Sequence, residues 1–206
     1  MSILLIRHGE TALNVARVLQ PADTPLSPRG AAQAEALAQR LASMGVAAVI
    51  SSDLPRASST ARAIAAATGA SLETSALLRE RDFGDWRGRP YDGMAVNPLT
   101  MREAPPGGES AAAFAGRVAL AFEHIIRRRA AVGGTLAVVT HGLVIRALLA
   151  SHASLQDTVA AAAATHLGNT SLSVLGAQPP HRVTLLNCTR HLDAGSHDDV
   201  TALSGG

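Results

Sequence analysis

The sequence predicts a single α/β domain: a mixed, mostly parallel open sheet with helices on both faces. Two observations lead there. Short, continuous apolar runs alternate with longer stretches of helical period in the order strand, helix, strand, helix, the pattern of a parallel sheet covered on both sides. Nearly half of the 206 residues are apolar but only 2% are aromatic, so alanine, leucine, valine and isoleucine must build the core. A chain of this length buries about 70% of its unfolded surface as one unit, which makes two full domains cramped.

Taken in order, residues 3–6 form an apolar run that stops at Arg7-His8-Gly9, a buried strand emptying into a loop. Residues 28–44 have helical pattern, opened by Pro28 and closed by Gly45. A second strand at residues 46–50 delivers Ser51-Ser52-Asp53, and Pro55 then starts a helix that Gly69 closes. The stretch between Phe83 and Gly108 is rich in glycine, proline and charge without periodicity, which predicts a surface loop of the kind that often covers a site. A helix opening near Ser110 carries Phe114, Val118, Phe122 and Ile125 at core spacing. Residues 136–139 form a strand ending in Thr140-His141-Gly142, with helical pattern at 143–151. Residues 170–175 and 182–186 are late strands separated by the Pro179-Pro180 turn. The domain is expected to span residues 1–206, with 194–206 as a flexible tail.

Composition removes several functions. All 18 basic residues are arginine, so Schiff-base chemistry and a P-loop, which need lysine, are excluded. Cys188 is the only cysteine, so neither an intramolecular disulfide nor a cysteine pair for zinc is possible, and an inert thiol is expected. The formal charge is only +2 and the arginines are scattered among acids, which speaks against nucleic acid despite a pI near 9.4. Arg127-Arg128-Arg129 falls in the last turn of a helix, where cations complement the dipole on a solvated face. The first six residues are too short for a signal sequence and no apolar run approaches a membrane span, so a cytoplasmic protein without a membrane partner is expected. Alanine-rich helices leave monomer and homodimer both open.

In open α/β sheets ligands bind beyond the carboxyl ends of the strands. That rule selects Arg7, His8, Asp53, Arg56 and His141, and Glu80 joins them after the apolar stretch Ala76-Leu77-Leu78. Arginine forks match phosphate oxygens, and Arg56 lies in a first helical turn whose free amides also favour anions. A neutral imidazole can attack phosphorus, and flanking arginines disfavour its protonation. A carboxylic acid held partly buried can protonate the leaving oxygen, the role expected of Glu80, with Asp53 and Asp82 as local rivals. No third ligand accompanies the two histidines at metal-binding spacing, so neither metal nor other cofactor is expected.

The series Arg7-His8-Gly9-Glu10-Thr11 with Asn14, Asp23-Thr24-Pro25-Leu26-Ser27 with Gly30, Ser51-Ser52-Asp53-Leu54 leading to Arg56 and Thr60, Leu78-Arg79-Glu80, Gly107-Gly108-Glu109-Ser110 and Val139-Thr140-His141-Gly142 resembles the motifs of the histidine phosphatase superfamily, in that family's order. This resemblance, which spans most of the chain, implies that His8 is the phosphorylated nucleophile, that Arg7, Arg56 and His141 form the phosphate pocket, and that Glu80 is the proton donor. It also implies phosphate or substrate contacts at Thr11, Asn14, Gln20, Arg81 and the backbone of Gly142. Departures from the family's phosphoglycerate mutases are Phe83 in place of a tyrosine, the absence of lysine, and a short stretch from Glu80 to His141. Arg17, Gln20 and Phe83-Gly84-Asp85-Trp86 resemble the phosphatase branch instead.

The expectation is therefore a metal-independent phosphatase acting on a small phosphomonoester, with a mutase as the alternative in the same class. A phosphate-ligand binding module without catalysis is the alternative in another. The remaining histidines are read as surface or packing residues, with His166 and His191 open to a substrate-side role. The loop from Arg81 to Gly108 and the segment 151–168 are expected to choose the substrate.

Overall fold

The computed structural model describes residues 2–154 and 167–192. The expected tail at 194–206, His166, and most of the segment 151–168 lie outside them. Six strands, β1 (Ser2–Arg7), β2 (Val46–Ser51), β3 (Ser71–Thr74), β4 (Thr135–Thr140), β5 (Leu172–Gly176) and β6 (Val183–Cys188), form one sheet in the order β3-β2-β4-β1-β5-β6. The first four are parallel to one another, β5 runs antiparallel to β1, and β6 pairs antiparallel with β5 and so runs in the direction of the first four. The helices are α1 (Ala12–Val15), α2 (Pro28–Leu41), α3 (Pro55–Thr68), α4 (Ala111–Ala130) and α5 (Gly142–His152).

The period-two geometry of a strand sorts its residues between two cores. In β1, Ile3 and Leu5 pack with Val118, Ile125, Ile145 and Leu148 of α4 and α5, whereas Leu4 and Ile6 pack with Leu37, Leu41, Ala61 and Ile64 of α2 and α3. Leu136 and Val138 of β4 join the first core, and Ala137 and Val139 the second. Both faces of the sheet are thus covered, as expected from continuous apolar strands.

Helix boundaries follow local chemistry. Ser27 and Ser110 accept amide hydrogens at the starts of α2 and α4, Pro55 occupies the first turn of α3, and Gly69 closes it with φ of +69°. Two expectations need correction, and one strand was not foreseen. Residues 71–74 pair with β2 as an edge strand that the polar, exposed side chains concealed. β5 begins at Leu172, because Thr170 takes a left-handed φ of +54° that no strand allows. The solvated reading of the arginine triplet holds for Arg127 only: Arg128 Nε meets Glu73 at 2.6 Å, and Arg129 is buried with Nη1 donating to the Val132 carbonyl at 2.8 Å.

Candidate active site

Parallel pairing of β1 with β4 sets Arg7 opposite Thr140, so the two His-Gly turns leave the sheet side by side. The His8 amide donates to the Thr140 carbonyl at 3.0 Å, the Ser52 amide donates to the Val139 carbonyl at 2.9 Å, and the imidazole centroids of His8 and His141 lie 5.1 Å apart. Both histidines are fully buried, as are Arg7 and Arg56 to within 1%. The five positions expected from the sequence, His8, His141, Arg7, Arg56 and Glu80, converge at these strand ends.

The tautomer of His8 follows from its partner. Nδ1 lies 2.7 Å from the Gly9 carbonyl, which can only accept, so Nδ1 carries the proton and the Nε2 lone pair is left exposed to a reaction partner. Nε2 is buried and has no hydrogen-bond partner among the described residues. Burial first, then the charges of Arg56 and Arg7, hold the His8 pKa far below the ordinary imidazole value, against the opposing pull of the Gly9 carbonyl. His141 is depressed in the same direction by burial, Arg56, His8, Arg7 and Arg117, and its Nε2 meets the Ser52 hydroxyl at 2.9 Å. Both rings are therefore uncharged at neutral pH.

The turn after His8 is clamped. Gly9 donates to Thr60 Oγ1 at 3.1 Å, and Thr60 donates in turn to the Arg56 carbonyl at 2.9 Å, which ties the loop after His8 to the helix of Arg56. Glu10 accepts from Ser27 at 2.8 Å and from Arg29 at 3.0 Å at the start of α2. Behind His8, the side-chain amide of Asn169 and the backbone amide of Thr170 both donate to the His8 carbonyl, at 3.1 and 3.2 Å.

Arg7 donates to the Leu167 carbonyl, and Arg56 reaches the Pro21 carbonyl at 3.3 Å while its buried Nε has no partner among the described residues. Burial lowers the Arg56 pKa to about 10, opposed by Glu80 and assisted by Arg7 and Arg87. It remains a cation at neutral pH. Glu80 is 5% exposed, and burial raises its pKa against the amides of Leu143 and Arg81 and the charges of Arg56 and Arg7. Its rivals are engaged elsewhere. Asp53 forks onto Arg79, with Nε at 2.7 Å, and Asp82 pairs with Arg87 at 2.9 Å while accepting from the Gly84 amide at 2.7 Å. Both carboxylates are partly exposed, at 30% and 44%.

Among the expected substrate contacts, Thr11, Asn14 and Gln20 form one buried group. Asn14 Oδ1 accepts from the Thr11 amide at 3.1 Å and Gln20 Oε1 accepts from the Thr11 hydroxyl at 2.9 Å, which leaves Asn14 Nδ2 and Gln20 Nε2 as buried donors without partners among the described residues. Such donors suit phosphate oxygens. Gly142 opens α5, whose His141 cap makes no side-chain bond to the helix amides. Arg81 departs from expectation. Its guanidinium donates to the carbonyls of Glu109 at 3.0 Å, Met101 at 2.8 Å and Glu103 at 3.0 Å, so it fastens the 98–109 loop and has little capacity left for substrate. His191 sits behind the site, 2.9 Å from the Thr170 hydroxyl, with its pKa pushed down to about 4 by burial and by Arg40.

Several residues here were not singled out from the sequence. Ser52 orients His141, Asn169 supports His8, and Arg87 lines the narrow cleft together with Gln20, Arg56 and Glu80. Arg117 and Glu109 hold the Glu80 segment: Arg117 forks onto Glu109 at 2.7 and 2.9 Å and donates to the carbonyls of Leu77, Arg79 and Glu80. The Gly-Gly-Glu-Ser motif marked Glu109, but its arginine partner carried no local signal. Among the described residues no three histidine, cysteine, aspartate or glutamate side chains converge as metal ligands, and no helix is long and apolar enough to cross a membrane.

Comparison with known proteins agrees with this geometry. The family model described as the histidine phosphatase superfamily (branch 1) matches residues 3–189. A probable phosphoglycerate mutase GpmB from Yersinia pestis is 34% identical over 161 residues, covering 73% of this chain and 74% of that protein. The native structure of a mycobacterial glucosyl-3-phosphoglycerate phosphatase matches with a TM-score of 0.75 and 30% identity, over 91% of this chain and 98% of that one. A phosphoserine phosphatase from Entamoeba histolytica matches with a TM-score of 0.76 over 93% of this chain and 99% of that one, but at 24% identity it speaks for the fold alone.

Proposed function

The chain belongs to the histidine phosphatase superfamily, and from that premise we propose that it hydrolyses a small phosphomonoester through a phosphohistidine on His8, without a metal ion. One observation carries the reading: a neutral imidazole whose buried Nε2 has no partner among the described residues, set beside two buried arginines and a buried carboxyl with a raised pKa. Each feature answers a need of phosphoryl transfer, namely a nucleophile, charge for the phosphoryl oxygens and a proton for the leaving group.

In the first step Nε2 of His8 bonds to phosphorus as the ester P–O bond breaks, and Glu80 gives its proton to the departing oxygen. Arg7, Arg56 and the amides of Asn14 and Gln20 hold the equatorial oxygens, so the positive charge that the imidazole acquires faces the phosphoryl group's own negative charge. In the second step Glu80, now a carboxylate, takes a proton from water as that water attacks phosphorus. The N–P bond breaks, inorganic phosphate leaves, and both groups return to their starting states.

The relative named as a probable mutase favours a second reading, in which the phosphoryl group passes from His8 to a substrate hydroxyl instead of water. Rapid quenching into base during turnover of a labelled phosphomonoester, with EDTA present, separates the possibilities. Hydrolysis is expected to release phosphate and to show base-stable label on His8 that His8→Ala lacks. Label that moves between positions of phosphoglycerate with little phosphate release would establish the mutase, and tight binding with neither label nor release would establish a binding module. Activity abolished by EDTA and restored by a divalent cation would remove the metal-free part alone.

A further inference from the structure

Beyond Glu80 the narrow cleft opens into a wider one of about 650 Å³, a size suited to a small organic group. Ala22, Leu54, Glu80 and Arg87 line both clefts. A phosphomonoester with its phosphoryl group against His8 and its bridging oxygen against Glu80 therefore extends its leaving group into the wider space.

The charge balance of that space is informative. Three arginines line it, and each is already held by a carboxylate: Arg79 by Asp53, Arg87 by Asp82 at 2.9 Å, and Arg117 by Glu109 at 2.7 Å. Among the described residues, a leaving group bearing its own carboxylate or second phosphate would find there no cation without a carboxylate partner, and would have to compete with Asp53, Asp82 or Glu109 for its arginine. Like charges brought together in a partly enclosed cleft are repelled strongly enough to decide between substrates. Neutral hydroxyls face the opposite situation. An Asp82 oxygen that accepts beside an Arg87 N–H that donates matches two neighbouring hydroxyls, each of which can both donate and accept.

We infer that the substrate's leaving group is an uncharged polyol, as in a sugar or glycerol phosphate, recognised by the adjacent Asp82 and Arg87 side chains at the mouth of the site. This rests on the phosphatase reading above and narrows it to a substrate class. The pair is partly exposed, with the two side chains 44% and 35% accessible, so it can be reached by a ligand without rearranging the core.

The test compares kcat/KM for glycerol and hexose phosphates with that for 3-phosphoglycerate and phosphoserine, using p-nitrophenyl phosphate to report the chemistry alone. The polyol phosphates are expected to be preferred. Asp82→Asn keeps an oxygen for the Gly84 amide but releases the Arg87 charge, so it should shift the preference toward phosphoglycerate by about fivefold or more. Arg87→Gln, which removes the cation, should not produce that shift and should weaken the polyol phosphates instead. A wild-type preference for the carboxylate-bearing esters, or a ratio that Asp82→Asn leaves in place, overturns the inference while the phosphatase reading stands. Absence of hydrolysis of every ester, p-nitrophenyl phosphate included, overturns both.

Discussion

The Leu143 amide donates to Glu80 Oε2 at 3.2 Å, so the proposed acid is seated on the first turn of the helix that His141 opens. An N-terminal turn favours a carboxylate, and the Arg81 amide at 3.1 Å on the other oxygen adds to that pull. Burial opposes both, and its effect is the larger, since the Glu80 pKa lies above its ordinary value. The same contacts fix the carboxyl in place beside the arginines without holding it permanently ionised.

Replacing Glu80 by Gln keeps the acceptor for Leu143 and removes the transferable proton. Turnover of an alkyl phosphate should fall by about 10²- to 10⁴-fold with KM little changed, and the loss should be much smaller for p-nitrophenyl phosphate, whose leaving group needs no acid. Steady-state kinetics on the two esters measures this directly, and equal losses on both would remove Glu80 from the acid role.

Stability should depend on pH chiefly through His8 and His141, with the depressed His191 and His152 acting in the same direction. Their folded-state pKa values are depressed, so in the interval below about pH 6.5 the unfolded chain binds protons that the native site refuses. The stabilisation is complete above that pH and is lost as pH falls toward the folded values, by about 1.4 kcal/mol per pH unit for each histidine. Glu80 acts in the opposite sense, because its raised pKa makes the native state the proton binder between its ordinary and its folded value. Two histidines outweigh one glutamate, so urea midpoints should fall on acidification, and His141→Asn should flatten the slope.

Arg117 acts on Glu80 through the main chain, since its Nη1 donates to the Leu77 and Arg79 carbonyls at 2.9 and 2.7 Å and its Nη2 to the Glu80 carbonyl at 3.3 Å. Arg117→Ala should lower kcat on alkyl phosphates by about 10- to 100-fold, as expected when a catalytic group is misplaced by about 1 Å. The alkaline limb of the pH profile, set by Glu80, should move with it. Lysine should rescue poorly, because a point charge cannot fork onto Glu109 and reach three carbonyls at once. A stability loss with an unchanged profile would show a structural role only.

Most of the sheet was legible because its strands are apolar runs with a turn signal at the end, a one-dimensional property. β3 was not: Ser71, Glu73 and Thr74 form no apolar run, and only pairing with β2 makes them a strand. The convergence of the proposed reacting groups was legible for a related reason, since a parallel sheet delivers strand ends to one edge, and that rule alone selects His8, His141 and the two arginines. Their supports were not. Ser52 reaches His141 from 89 positions away and Asn169 reaches His8 from 161, approaches decided by tertiary packing. Arg81 marks the converse failure, because a charge next to the acid suggests substrate while the carbonyls that claim it lie in a loop folded back from beyond residue 97.

Two glycines make opposite predictions. Gly30 sits in the first turn of α2, where an added Cβ would lie 2.0 Å from the Glu10 carbonyl oxygen and 2.7 Å from the Glu10 amide nitrogen. Both obstacles are backbone, and that backbone is pinned by Ser27, Gln33 and the Gly9 bond to Thr60, so it can give way only by moving the turn that carries His8. Alanine would gain up to about 1 kcal/mol of helix propensity, but overpacking of this kind costs about 1–3 kcal/mol or more, so the clash wins. Gly30→Ala should lower both the melting temperature and kcat. Gly116, exposed in the middle of α4, lacks any such obstacle, because a methyl added there would meet nothing within 4 Å. Gly116→Ala should stabilise by about 0.5–1 kcal/mol and leave turnover alone. Thermal denaturation and activity of the two variants measured side by side check the pair, and a stable, fully active Gly30→Ala variant would show that the turn carrying His8 is not held as tightly as the contacts require.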